Sequence, residues 1–244
     1  MTKIDIARWV LSKINIETNG NPGCIYEDMV LAIDNSKTAV YKLEKLIPTL
    51  QSKKYFYKFD MLSAFYQRLI VCWFLGCNSF SNFSWGVYKD KEGIIKPLPL
   101  NTISVFNNDW FDFKYKYQTM SPEPETMILL AKDRDYVKEL LQLYSAFKNL
   151  VTEELMEGLG KFYENVSLFG ECLTFIRNKL HTVELVLFDI ILHSREFLIF
   201  AAERDDNLFN SLTSSNNKEL YKEYNTNDLF KFIVEFYGVD ILSV

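Results

Sequence analysis

Apolar side chains recur at intervals of three and four residues through most of this 244-residue chain, and that spacing restricts it to helices that each bury one face. The clearest stretch runs from Lys54 to Leu75, where Phe56, Phe59, Leu62, Phe65, Leu69, Ile70, Trp73 and Phe74 share a face. Residues 2–14 repeat the pattern with Ile4, Ala7, Val10, Leu11 and Ile14, opened by Thr2 with Asp5 three residues on, an approximate capping box. Further helices are predicted over 26–47, interrupted near Asn35 and stopped by Pro48, and over 125–150, 152–163, 166–204, 218–224 and 226–237, the last closed by Gly238.

The middle of the chain has a different period. Val87–Lys89 and Ile94–Lys96 flank a turn at Asp90–Gly93 and read as a hairpin. Phe111, Phe113, Tyr115 and Tyr117 then alternate with Asp112, Lys114, Lys116 and Gln118, the period of a half-buried strand. A small antiparallel sheet over about 83–119 is therefore expected inside a helical protein, an α+β fold. The segment Ser121–Glu125, with prolines and acids suited to a first helical turn, divides a 1–120 half carrying the sheet from a helical 121–244 half. The two halves are expected to pack as one cooperative domain.

At this length a core can be buried without disulfides or metals. Hydrophobic residues make up 48% of the chain and aromatics 16%, so the core should be rich in rings. Four scattered cysteines, Cys24, Cys72, Cys77 and Cys172, show no CxxC pairing and point to reduced thiols in the cytoplasm. The start of the chain, Met1–Asp5, lacks the pattern of a secretory leader. No charge falls between Arg68 and Lys89, but its second half is a polar Ser/Asn run and the apolar part is too short to span a bilayer. A soluble chain with no membrane segment is expected.

The net charge of −5 repels phosphate backbones. Glycine never falls in GxGxxG or GxxxxGK[ST], so no nucleotide cofactor is expected. GxSxG is absent, and Cys72 and Cys77 lack a second Cys/His pair to complete a zinc set. Acidic clusters such as Asp133/Asp135, Glu153/Glu154/Glu157 and Asp205/Asp206 read as solvated helix faces, and no metal site or cofactor is expected. The Trp110–Tyr117 strand resembles a base-stacking platform, but its alternation puts rings on one face and Lys114 and Lys116 on the other, which is a core strand.

The segment that concentrates chemistry lies in the 166–204 stretch. Read as one continuous helix, it carries a second apolar stripe of Leu185, Phe188, Leu192 and Ile199, expected to form an interface. Arg177, His181, Glu184 and Arg195 then fall within about 40° of one direction on that side. A guanidinium, an imidazole and a carboxylate in a half-buried row need partners, which favours an interface or a cleft. Arg177-Asn178 followed by His181 resembles the motif of HEPN-type helical ribonucleases, in which an Arg, commonly followed by Asn, precedes a His. Here the spacing is one residue shorter than the family's usual minimum. The resemblance implies metal-independent RNA cleavage across a homodimer cleft, with Arg177 stabilising a pentacovalent phosphate, His181 moving the proton and Glu184 or Asn178 orienting.

The reading favoured by composition is a non-catalytic interaction or regulatory protein, acting on a protein partner or by self-association through aromatic and helical surfaces, Arg195 included. RNA enters only under the ribonuclease alternative. Abundant Asn, Lys, Ile, Phe and Tyr suggest an AT-rich coding genome, and by association a small protein of bacterial defence or viral counter-defence.

Overall fold

The structure, a computed structural model, describes residues 2–14, 29, 41–42, 59–76, 85–89, 95–99, 105–106, 124–152, 155–204 and 226–239. The helices are α1 (Lys3–Lys13), α2 (Phe59–Leu75), α3 (Pro124–Ala131), α4 (Arg134–Thr152), α5 (Leu155–Lys161), α6 (Val166–Arg177), α7 (Leu180–Leu192), α8 (Arg195–Ala202) and α9 (Thr226–Tyr237). Short strands β1 (Tyr41–Lys42), β2 (Trp85–Lys89) and β3 (Ile95–Pro99) pair antiparallel in the order β1-β2-β3, with Trp85 opposite Pro99 and Lys89 opposite Ile95. Pro97 and Pro99 cannot donate to a further ladder, so β3 suits an edge.

The α+β expectation is overturned. Most of the described residues are helical, and the architecture is mostly α rather than an α+β fold with a sheet insert over 83–119. Fold class follows from where apolar area is buried, and among the residues whose burial is described that is mainly on helices, from Ile6 in α1 to Phe236 in α9. The paired strands are short, two residues in β1 and five each in β2 and β3, and β3 lies beside α2. The alternating run Phe111–Tyr117, which suggested the main strand, lies outside the described residues, as does the helix expected over 218–224; of the helix expected over 26–47 only Met29 and Tyr41–Lys42 are described, Met29 in a helix and Tyr41–Lys42 in β1 instead.

The chain divides into two compact units, residues 1–120 with 146–183, and residues 121–145 with 184–244. In the first unit, α1 begins with the capping box expected of Thr2 and Asp5. The Thr2 amide donates to Asp5 Oδ2 at 2.7 Å while the Thr2 hydroxyl accepts from the Asp5 amide. That amide bond holds the Asp5 carboxyl below its usual range. The helix buries Ile6, Trp9, Val10 and Leu11 against α6. Trp9 meets Phe162 and Phe169 edge-on at 5.8 and 5.3 Å, and those two rings stack at 5.2 Å, a three-ring cluster. Gly158 in α5 lets that cluster close, because a Cβ there would lie 2.0 Å from Phe169 Cζ. Phe74 at the end of α2 stacks on Phe147 at 4.0 Å.

In the second unit the rings gather on α9. Phe188 of α7 packs on Phe230 at 5.1 Å, and Phe197 of α8 packs on Phe236 at 5.6 Å and Tyr237 at 6.2 Å. The Arg134 guanidinium lies 4.5 Å over the Phe236 ring and donates to the Phe236 carbonyl. Gly238 adopts φ +65 and closes α9 as expected, its amide donating to the Val234 carbonyl at 2.8 Å.

Two stretches expected as single helices are broken. The 125–150 pattern divides at Lys132-Asp133, where the Asp133 carboxylate accepts from the Tyr136 amide at 3.0 Å and caps α4. The 166–204 pattern divides twice. Ser194 caps α8 by accepting from the Phe197 amide at 3.3 Å, and the ring of His193 bonds the Asp189 carbonyl at 2.6 Å where α7 ends. At Asn178-Lys179 the chain turns out of α6, the Lys179 amide bonding the Ile176 carbonyl at 2.9 Å. Each cap offers the backbone an alternative to the next helical bond, and apolar periodicity does not register it. Among the described residues no helix is long and apolar enough to cross a membrane.

Candidate functional site

Those breaks dissolve the row that the sequence suggested. Arg177 is the last residue of α6 and His181 the second of α7, with the Asn178-Lys179 turn between them. Glu184 lies one turn into α7, and Arg195 opens α8 beyond a second break. A constant 100° per residue therefore does not connect the four, and their common direction on one helix is corrected. Arg177 and His181 belong to the first unit, Glu184 and Arg195 to the second. Arg177, His181 and Arg195 are exposed and Glu184 is half-buried.

The expected interface stripe also changes. Phe188 is 2% exposed and is used up against Phe230 within its own unit, so it offers nothing to a partner. Leu185 and Leu192 are half-buried, and Ile199 alone of the four apolar residues is well exposed, at 49%. On its second apolar side α7 thus reaches α9 through Phe188, which the pattern of α7 alone could not reveal.

The first unit holds a pocket of about 430 Å³ that sequence reasoning missed. Helix α6 gives it one wall: Glu171, Thr174, Phe175 and Asn178 follow i, i+3, i+4, i+7 and so share a face, with Cys172 beside them. Lys3 of α1, Phe106 and Lys179 contribute the rest of the described lining. Phe106 adopts φ 53, a left-handed conformation that costs an aromatic residue on the order of 1–3 kcal/mol. Three contacts hold it there. Its amide donates to the Leu75 carbonyl at 2.6 Å, its carbonyl accepts from Lys3 Nζ at 2.9 Å, and its ring meets Phe175 edge-on at 5.8 Å.

Lys179 Nζ sits 4.4 Å from the Trp73 ring centroid and 4.2 Å from that of Phe175, so two aromatic faces fix the ammonium at the pocket. Burial pushes the Cys172 thiol up to about 12, with nearby Lys3 opposing and Glu171 adding to the rise. A thiol held neutral in this way is a wall atom rather than a nucleophile. The pocket therefore combines two ammonium groups, one carboxylate, one amide and two crossed rings. The helical spacing of its α6 wall was legible; the approach of Lys3 and Phe106 from more than sixty residues away was not. Among the described residues no three His, Cys, Asp or Glu side chains gather as a metal-ligand set. Comparison with known protein families, curated proteins and solved structures gives no match.

Proposed function

We propose that this chain is a protein-interaction module that engages a protein partner, a second copy of itself included, through the outer face of α3. The observation that carries this reading is the run Met127-Ile128-Leu129-Leu130-Ala131. Met127, Leu130 and Ala131 are buried at 6, 0 and 4%, yet Ile128 and Leu129 stand 43 and 41% exposed. A helix apolar around most of its circumference is characteristic of one covered on all sides, and side by side these two leave an apolar patch facing water. Ile199 adds a further exposed aliphatic side chain in the same unit. The net charge of −5 favours a protein partner over a phosphate backbone. The proposed place of action is the cytoplasm, in keeping with cysteines that sit as core residues at Cys72 and Cys172.

Replacing Ile128 and Leu129 together by Glu is expected to leave unfolding free energy within about 0.5 kcal/mol of wild type, since both project outward. The same variant should sediment as a lighter species, or lose its co-purifying partner. Unchanged sedimentation and unchanged partner recovery, with folding intact, would count against the reading.

A second reading, metal-independent RNA cleavage by Arg177 and His181, draws support from the exposure of both residues across a two-residue turn. Incubating the protein with RNA in EDTA beside Arg177→Ala/His181→Ala separates the two. Cleavage by wild type that the double variant loses supports the nuclease, whereas no cleavage, or equal cleavage, removes it.

A further inference from the structure

We infer that the outer face of α3 docks on the same face of a second copy of this chain, the two helices antiparallel about a twofold axis passing between Ile128 and Leu129. This rests on the reading of α3 as a docking surface and names its occupant. The order of residues along the helix carries it. Glu125 stands three residues before Ile128, and Lys132 three residues after Leu129. A face with an acid at one end, a base at the other and two aliphatic residues midway becomes its own complement when turned end for end.

The four positions also share a direction. Counted at about 100° per residue from Ile128, Leu129 falls at about 100°, Glu125 at about 60° and Lys132, directly after the helix, at about 40°. By the same count the buried Leu130, Met127 and Ala131 fall at about 200°, 260° and 300°, on the opposite side. Lys132 is exposed and forms no ion pair among the described residues, and the carboxylate of neighbouring Asp133 is occupied in capping α4. In the antiparallel pair Ile128 of each copy meets Leu129 of the other, and Glu125 of each lies opposite Lys132 of the other. Two pairs of opposite charge then flank an apolar centre. A parallel pair sets Glu125 against Glu125 and Lys132 against Lys132, so charge fixes the direction. The helix has eight residues, and its contact is well below the roughly 800 Å² per partner of a stable complex. The dimer is therefore reversible, with Kd expected on the order of 10–100 µM.

The test is sedimentation of the full chain at low salt, where charge pairs are least screened, from about 1 µM to about 1 mM. Wild type is expected to pass from monomer to dimer over that range. Glu125→Lys or Lys132→Glu alone sets like charges at both ends of the contact and should raise Kd about tenfold. An equimolar mixture of those two variants should associate as wild type does, because every charge pair across the contact is then attractive again. Two proteins that fail alone and pair when mixed are both folded. A wild type that stays monomeric up to about 1 mM overturns the inference. If Ile128→Glu/Leu129→Glu loses a co-purifying polypeptide in that case, α3 is still a docking surface and its occupant is a different protein. A dimer whose Kd neither charge reversal changes, or whose two variants do not pair when mixed, overturns the inference as well.

Discussion

Replacing Gly158 by Ala is expected to destabilise the protein by about 2 kcal/mol, although Ala is the better helix former by roughly 0.5–1 kcal/mol. The sign is decided by one distance. The added Cβ would lie 2.0 Å from Phe169 Cζ and under 3 Å from both adjoining ring carbons. Phe169 is fully buried and cannot give way, because Phe162 stacks on it and Trp9 meets it edge-on. Gly160, two residues along the same helix, has nothing within 4 Å of its Cβ position. Gly160→Ala should therefore follow propensity alone and stabilise by roughly 0.5–1 kcal/mol. Urea denaturation of both variants measures the contrast. A Gly158→Ala protein as stable as wild type would mean that Phe169 does not fill the space above α5.

Truncating Phe197 to Ala in the second unit is expected to cost about 3–5 kcal/mol, the range for deleting a buried aromatic side chain. Phe197 is fully buried, its amide is the one captured by the Ser194 cap, and its ring contacts both Phe236 and Tyr237. Removing the ring leaves those two partners lining a void that the cap prevents α8 from closing by rotation. Ile199→Ala, two residues away and half exposed, should cost less than about 1 kcal/mol and serves as the control. Denaturant melts of the two variants provide the comparison. Equal losses would show that α8 does not pack through the Phe197 face.

What could be read from the chain, and what could not, follows from the range of each interaction. The capping box at Thr2 and the glycine stop at Gly238 are set by residues within a few positions of one another, and both were legible. Asp133 and Ser194 were legible in principle, being cap-forming residues before helical turns. Unbroken apolar periodicity on either side outweighed them, and the continuous 166–204 helix was the consequence. Without that continuity, the alignment of Arg177, His181, Glu184 and Arg195 loses its geometric basis. The place of Phe188 depends on a longer-range contact. Its partner, Phe230, lies forty-two positions further along, and nothing local marks which of two apolar sides will meet it.

The fold class turns on helix content and on where the described rings are buried, which local alternation does not report. The paired strands are short, while the buried rings belong mainly to helices. The pocket was half legible: its α6 wall follows helical spacing, but the left-handed turn at Phe106 and the reach of Lys3 to its carbonyl depend on tertiary packing. The exposed pair on α3 was visible as five consecutive apolar residues, yet only burial distinguishes the two that face outward from the three that do not.

The claim that α3 docks a polypeptide is tested most directly by placing a photo-crosslinking amino acid at position 129 and irradiating cells of the organism that makes the protein. The control position is Glu164, exposed and in the other unit. A discrete crosslinked polypeptide, from position 129 and not from 164, is the predicted result. No adduct at 129, or the same adducts from both positions, would contradict it.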